Sequence, residues 1–142
     1  MIQINQDGTC DKCKVQKAYY NMWNNIKQEV ISDLREMSKQ TKISTLHITG
    51  ISLGGGLTII SYIDVAASKI FPTIRVSTFG APRVGNKEWA NHFDQITNTK
   101  AKRYVVNGDP VAGMPTCLTL LCNYKQVGIK LNCYEDRAQC LK

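Results

Sequence analysis

Ile43-Ser44-Thr45-Leu46-His47-Ile48-Thr49-Gly50-Ile51-Ser52-Leu53-Gly54-Gly55-Gly56-Leu57 is the stretch from which the fold is read. Residues 43–49 are rich in β-branched side chains and predict a strand. Gly50-Ile51-Ser52-Leu53-Gly54 then fits the pattern G-x-S-x-G, in which a serine sits on a sharp strand-to-helix turn. From Leu53 to Lys69 the chain has helical length and an apolar body. The pattern has a mechanical reason. A serine at such a bend adopts a strained backbone, and glycine at Gly50 and Gly54 leaves room for the turn and for a close helix start. The Ser52 hydroxyl then stands exposed at the carboxyl edge of a sheet, beside backbone N–H groups. Five residues alone also describe a glycine-rich turn with an idle serine. The strand before them and the helix after them favour the first reading.

Outward from this turn, the chain alternates strands and helices. Val15 to Lys39 predicts a long amphipathic helix, with Val15, Tyr19, Met22, Trp23, Ile26, Val30, Leu34 and Met37 at three- and four-residue steps. Such a stripe is a core-facing surface rather than a cofactor site. Pro72 marks a break before a second strand, Ile74 to Phe79. Gly80 to Gly85 reads as a loop. Asn86 to about Thr97 reads as a short helix, with Asn86 as its N-cap. Lys102 to Asn107 predicts a third strand, and Gly108-Asp109-Pro110 turns away from it. A further strand falls at Tyr124 to Leu131. Strands separated by helices imply βαβ units, a mostly parallel sheet and the α/β class.

The chain has 142 residues, enough for one domain at most, and a 43% hydrophobic content sufficient for a core. No stretch reaches the ~20 continuous apolar residues of a membrane span. The first eight residues lack the apolar core of a signal peptide. The net charge of +7 is scattered, densest at Lys12, Lys14 and Lys17 and at Lys100, Lys102 and Arg103. Neither group interleaves aromatics in a nucleic-acid pattern. A solvated basic surface and attraction to anionic lipid both fit. Six cysteines, Cys10, Cys13, Cys117, Cys122, Cys133 and Cys140, lie toward the two ends. They suggest disulfides and an oxidising, secreted or lumenal setting. Cys10-x-x-Cys13 also fits a zinc or redox pair, but no further ligands follow at suitable spacing, and no metal or cofactor is expected.

Three ordered blocks together resemble the class 3 (fungal-lipase-type) family. His47 to Leu57 resembles its elbow, Thr78-Phe79-Gly80-Ala81-Pro82-Arg83-Val84-Gly85-Asn86 the block that follows, and Arg103 to Val111 its aspartate block. Lys14 to Trp23 is similar to the start of the helix before the elbow strand, so the likeness spans roughly residues 14 to 130. It implies an α/β-hydrolase-like fold with flanking helices and hydrolysis of acylglycerol-type lipid esters through an acyl-enzyme. It assigns Ser52 as nucleophile, Asp109 as the acid and the Leu53 N–H as one oxyanion donor. It implies no cofactor, a lipid or other ester as partner, contact with a membrane surface or lipid droplet, and no nucleic acid.

This sequence departs from the family at several points. Ile51 stands where the family usually has histidine, and Gln126 where a Tyr-x-His pair is sought after Tyr124. In this fold the base histidine follows the acid in chain order. Only His47 and His92 occur, both before Asp109. His47 reads as a packed or edge histidine and His92 as a surface one. The loop that gives the second oxyanion donor belongs before the first helix, where about a dozen polar residues stand. Residues 1–142 thus read as one partial domain, the middle of a larger one, with an uncovered sheet edge. A catalytically inactive lipase-like protein that binds lipid or a partner is the alternative.

Overall fold

A computed structural model describes residues 1–40, 42–98, 101–116, 123–134 and 139–141. The elements in chain order are β1 (Ile2–Gln3), β2 (Lys14–Val15), α1 (Lys17–Gln40), β3 (Thr45–Ile51), α2 (Ser52–Ala67), β4 (Thr73–Phe79), β5 (Gly85–Asn86), α3 (Lys87–Ile96), β6 (Lys102–Val106), a 3-10 turn at Val111–Gly113, β7 (Tyr124–Lys125), β8 (Ile129–Tyr134) and β9 (Gln139–Leu141). Strands β3, β4, β6 and β8 are parallel neighbours in that order, and β9 closes the row antiparallel to β8. The mostly parallel sheet expected of the alternating pattern is therefore present. β3 ends the row on its outer side, so the strand that leads into Ser52 is an edge strand in the described residues.

Helix α2 is apolar nearly all round because it is covered twice. It packs on β3 and β4 on one side and on α1 on the other. Ile59, Ile60, Ile63 and Val65 are buried there. The Gly56 position lies so close to the Tyr19 ring that an added Cβ would meet its Cε1 at 2.5 Å. A part-buried polar knot fixes the same contact. Asp64 on α2 accepts from Trp23 Nε1 at 2.7 Å and Gln6 Nε2 at 2.8 Å, and pairs with Lys27 Nζ at 3.2 Å. The stripe on α1 is only partly sunk. Tyr19 and Trp23 are buried, whereas Ile26 and Met37 are exposed. α3 docks through Phe93 on Tyr62 of α2, with ring centroids 5.3 Å apart. Its N-cap is Asn86, which accepts from the Trp89 N–H at 3.0 Å as its sequence position implied.

Several details differ from the sequence reading. Val15 belongs to β2 and is fully buried, so the first helix starts at Lys17. The strand expected over Tyr124 to Leu131 is broken by Gly128 at φ 69° into β7 and β8. The polar start folds into a small antiparallel sheet of order β1-β2-β5-β7 and buries Ile4 in the core. Cys10 and Cys13 are joined to one another, and Cys133 is also disulfide-bonded. Cys117 and Cys122 lie outside the described residues.

His92, expected at the surface, is half-buried and held by a partner. Its Nε2 lies 2.8 Å from Asp7 Oδ2, and Thr9 donates to the other oxygen of that carboxylate at 2.7 Å. Burial disfavours the Asp7 anion, but the hydrogen bonds from Thr9 and the nearby His92 outweigh it and lower its pKa below 3.8. The carboxylate is therefore bound more tightly folded than unfolded. Its contribution to stability is complete above the ordinary carboxylate range and is lost as pH falls through the depressed folded value. Acid titration of thermal stability should show this loss below about pH 4. Asp7→Asn should flatten that limb of the curve while leaving the neutral-pH fold, read by circular dichroism, in place.

Candidate active site

Ser52 is the first residue of α2 and has φ 50°. That left-handed backbone costs an ordinary residue about 1–3 kcal/mol and is retained only where its surroundings impose it. The imposition is visible at Gly50. A Cβ there would collide with the Gly54 carbonyl and would lie 2.6 Å from Thr58 Oγ1, so the turn closes only on glycine. Gly54 is different. It has no neighbour within 4 Å of where its Cβ would stand, so the expected need for space at that position is not met. The close approaches lie one and two residues on, with Gly55 against Ala81 Cβ and Gly56 against Tyr19.

The bend lifts Ser52 onto the surface at the carboxyl end of β3. Ile51, the N-cap of α2, makes no side-chain cap bond. The Leu53 N–H lies in the first turn, where helical N–H groups lack intrahelical partners. Ser52 and Asp109 line one cavity of about 290 Å³, whose floor and walls include Ile51, Phe79, Tyr104 and Val106. Phe79 and Tyr104 stack with centroids 4.9 Å apart.

Asp109 follows β6 and is half-buried. Its Oδ1 accepts from the Val111 N–H at 2.8 Å, with the Ala112 N–H at 3.4 Å. Its own N–H donates to the Val106 carbonyl at 3.1 Å. The second oxygen, Oδ2, faces Gly80, where a Cβ would stand 2.8 Å away at φ 58°. Gly80, Ala81 and the turn after Asp109 are laced together. Gln126 Nε2 donates to the carbonyls of Ala81 at 3.1 Å and Ala112 at 2.6 Å, and Arg83 Nη1 donates to Pro115 O at 2.9 Å. Neither brace was evident from the sequence, where Gln126 is seen only as a departure from Tyr-x-His. Gly80 carried a usable signal, since a glycine directly after a strand end often answers a positive φ.

Neither histidine lines this cavity. His47 sits on the edge strand, as its position suggested, with Nε2 2.9 Å from Ser77 Oγ. His92 is held by Asp7, away from the sheet edge. The arrangement therefore offers a presented hydroxyl, a fixed carboxylate and N-terminal N–H groups around an apolar hollow.

Comparisons with known proteins bear on the family and on the fold. The family described as Lipase (class 3) matches residues 2–119. A secreted mono- and diacylglycerol lipase 2 from Gibberella zeae is 32% identical over 90 residues, 63% of this chain and 22% of that protein. A secreted mono- and diacylglycerol lipase A from Penicillium cyclopium is 27% identical over 108 residues, 76% of this chain and 34% of its own length. Among solved structures, a lipase from Rhizopus microsporus var. chinensis superposes with TM-score 0.83 at 22% identity, over 99% of this chain and 49% of that one. A triacylglycerol lipase described as having a serine-protease triad at its catalytic centre gives 0.80 at 21% identity, over 92% and 49%. The two structures show the fold. The chain spans about a third or less of these curated relatives and about half of the solved ones.

The two flanking glycines separate by experiment. Gly50→Ala should displace the turn and lower thermal stability sharply. Gly54→Ala lies in a helix with open space beside it and should be neutral or stabilising by up to ~1 kcal/mol. Melting of the two variants side by side checks the difference, and equal losses would contradict it.

Proposed function

Because the chain belongs to the class 3 lipase family, we propose that it carries the nucleophile and acid of a hydrolase for acylglycerol-type carboxylic esters. The observation that supports this most is the strained, exposed Ser52 sharing an apolar cavity with Asp109. In the proposed reaction Ser52 Oγ attacks the acyl carbon and its proton passes to an imidazole base. The tetrahedral oxyanion accepts from the Leu53 N–H, a kind of bond worth about 3–4 kcal/mol per donor. Collapse expels the alcohol, which takes up the proton, and leaves an acyl-serine. Water, deprotonated by the same base, then releases the acid and restores the hydroxyl. Asp109, fixed by backbone N–H groups, holds the imidazole in the required tautomer and stabilises its cation. The apolar walls suit an acyl chain. A secreted or lumenal setting fits the Cys10–Cys13 disulfide and the relatives named as secreted.

The imidazole itself is not supplied by His47 or His92, and this favours a second reading, a lipase-like protein that binds lipid or a partner without turnover. The two readings part at Ser52. With the 142-residue protein, a fluorophosphonate probe should label Ser52, mapped by mass spectrometry, and added imidazole should speed the labelling. Ser52→Ala should take up none. Turnover of a short-chain ester should not exceed the residual ~10³–10⁴ over water that remains when one triad member is lost. Labelling that is unchanged in Ser52→Ala would refute the nucleophile.

A further inference from the structure

The Cys10–Cys13 pair takes no part in the proposed ester chemistry. The two residues stand three apart in sequence and are joined to one another, so they close a four-residue ring in the segment between β1 and β2. Cys13 is buried, and its carbonyl accepts from the Ile4 N–H at 2.9 Å. Cys10 is half-buried. The ring is fastened to the start of α3 by one side chain. Asn86, the N-cap of that helix, donates from Nδ2 to the Lys12 carbonyl at 3.0 Å. Its Oδ1 accepts from the Lys14 N–H at 2.9 Å and from the Trp89 N–H at 3.0 Å. The same amide therefore caps the helix and grips the chain on either side of Cys13.

What this disulfide contributes is local. The entropic share of a disulfide's stabilisation grows with the loop it closes, and so small a ring closes very little. Opening it leaves the hairpin anchored elsewhere. Ile4 is buried in the core, Gln6 Nε2 donates to Asp64 Oδ2 at 2.8 Å, and Asp7 stays paired with His92. Opening removes only the restraint that holds Lys12 and Lys14 at the spacing Asn86 grips. Cys133 provides the contrast. It is also disulfide-bonded, and it lies on β8, which pairs with β6 along five residues.

We propose that Cys10–Cys13 is a thiol-exchange site, opened by a dithiol reductant, whose opening releases the N-terminal hairpin from Asn86. A thiolate of the dithiol attacks Cys10 Sγ, the more accessible sulfur. The Cys10–Cys13 bond breaks, and Cys13 leaves and takes up a proton. The second thiol of the reductant then attacks the reductant's own sulfur in the mixed disulfide, closes the reductant's disulfide and frees Cys10 as a thiol. Two electrons and two protons pass from the dithiol to the pair, and oxidation reverses each step. In the reduced state the ring is free to turn. The bonds from Asn86 to Lys12 and Lys14 weaken, and the first turn of α3 loses the order they lend to its cap. The proposal is independent of ester chemistry, because neither cysteine nor Asn86 lines the cavity at Ser52.

The test uses the 142-residue protein in dithiothreitol buffers of graded reduced-to-oxidised ratio. Thiols are trapped by alkylation and mapped by mass spectrometry. Cys10 and Cys13 should be alkylated together at a ratio at least ~10-fold less reducing than the one that opens Cys133. Within that window far-ultraviolet circular dichroism should be unchanged. Amide hydrogen exchange at Lys14 and Trp89 should quicken roughly fivefold, the factor that loss of a helix cap brings, and reoxidation should restore the slower rate. Cys10→Ser with Cys13→Ala should show the faster exchange with or without reductant. Should that variant fail to fold, the reduction series on the parent protein decides alone. Opening of Cys133 at the same ratio or a milder one would overturn the proposal. So would unchanged exchange at both amides once Cys10 and Cys13 are reduced. Loss of the dichroism signal in that window would do the same, because the pair would then be a staple of the whole fold.

Discussion

The contact between the Gly50 backbone and the Gly54 carbonyl is the constraint on which the rest depends. It lets β3 run into α2 with no intervening loop, and it forces Ser52 to φ 50° at the join. The cost of that conformation, about 1–3 kcal/mol, is offset by what the two elements do elsewhere. β3 is paired with β4 along all seven of its residues. α2 is anchored by its buried apolar side chains and by Asp64, which gathers donors from α1 and from Gln6. Neither element can shift to relieve the bend without breaking these contacts. The strain at Ser52 is thus sustained by the core, not by local bonds.

The carboxylate side of the cavity is built differently. Asp109 stands on a turn whose own N–H groups hold it, and the turn is tied to the Gly80 loop by Gln126 and Arg83. The loop in turn presses Ala81 against Gly55 on α2. Ser52 and Asp109, far apart in sequence, are therefore related through a short chain of contacts: α2, Ala81, the Gln126 side chain, then the 3-10 turn.

What could be read in the sequence follows from how many residues each element commits to a pattern. β3, α2, β4 and α3 are long enough for period and cap to show, and Asn86 names its own helix start. The G-x-S-x-G turn and the Gly-Asp-Pro turn carried the site, since each residue there has a steric reason to be what it is. Two-residue strands such as β1, β2 and β5 have no period to detect, so the N-terminal hairpin is invisible until Ile4 and Val15 are found buried. His92 looked like a surface residue because its partner Asp7 is 85 residues away. Gly54 matched a motif without meeting the steric need that the motif suggests, whereas Gly55 and Gly56 met it through contacts with distant chain segments. Ile26 and Met37 fit a helical stripe and are nonetheless exposed, whereas Tyr19 and Trp23 are buried and Val30 and Leu34 pack partly buried on the core.

The exposed sheet face bears on the chemistry as well as on packing. Electrostatic stabilisation of an oxyanion is strong only where water is excluded, because a low local dielectric magnifies each N–H contribution. Around Ser52 the apolar residues Ile51, Leu53 and Phe79 are exposed. In the proposed reaction the Leu53 N–H would therefore have to compete with solvent. An apolar segment laid over Ile51 and Phe79 would remove apolar surface from water at ~25 cal/mol per Å², and the same step would dry the cavity beside Ser52. The elbow makes the hydroxyl available, and excluding water around it would strengthen the oxyanion interaction proposed for the Leu53 N–H.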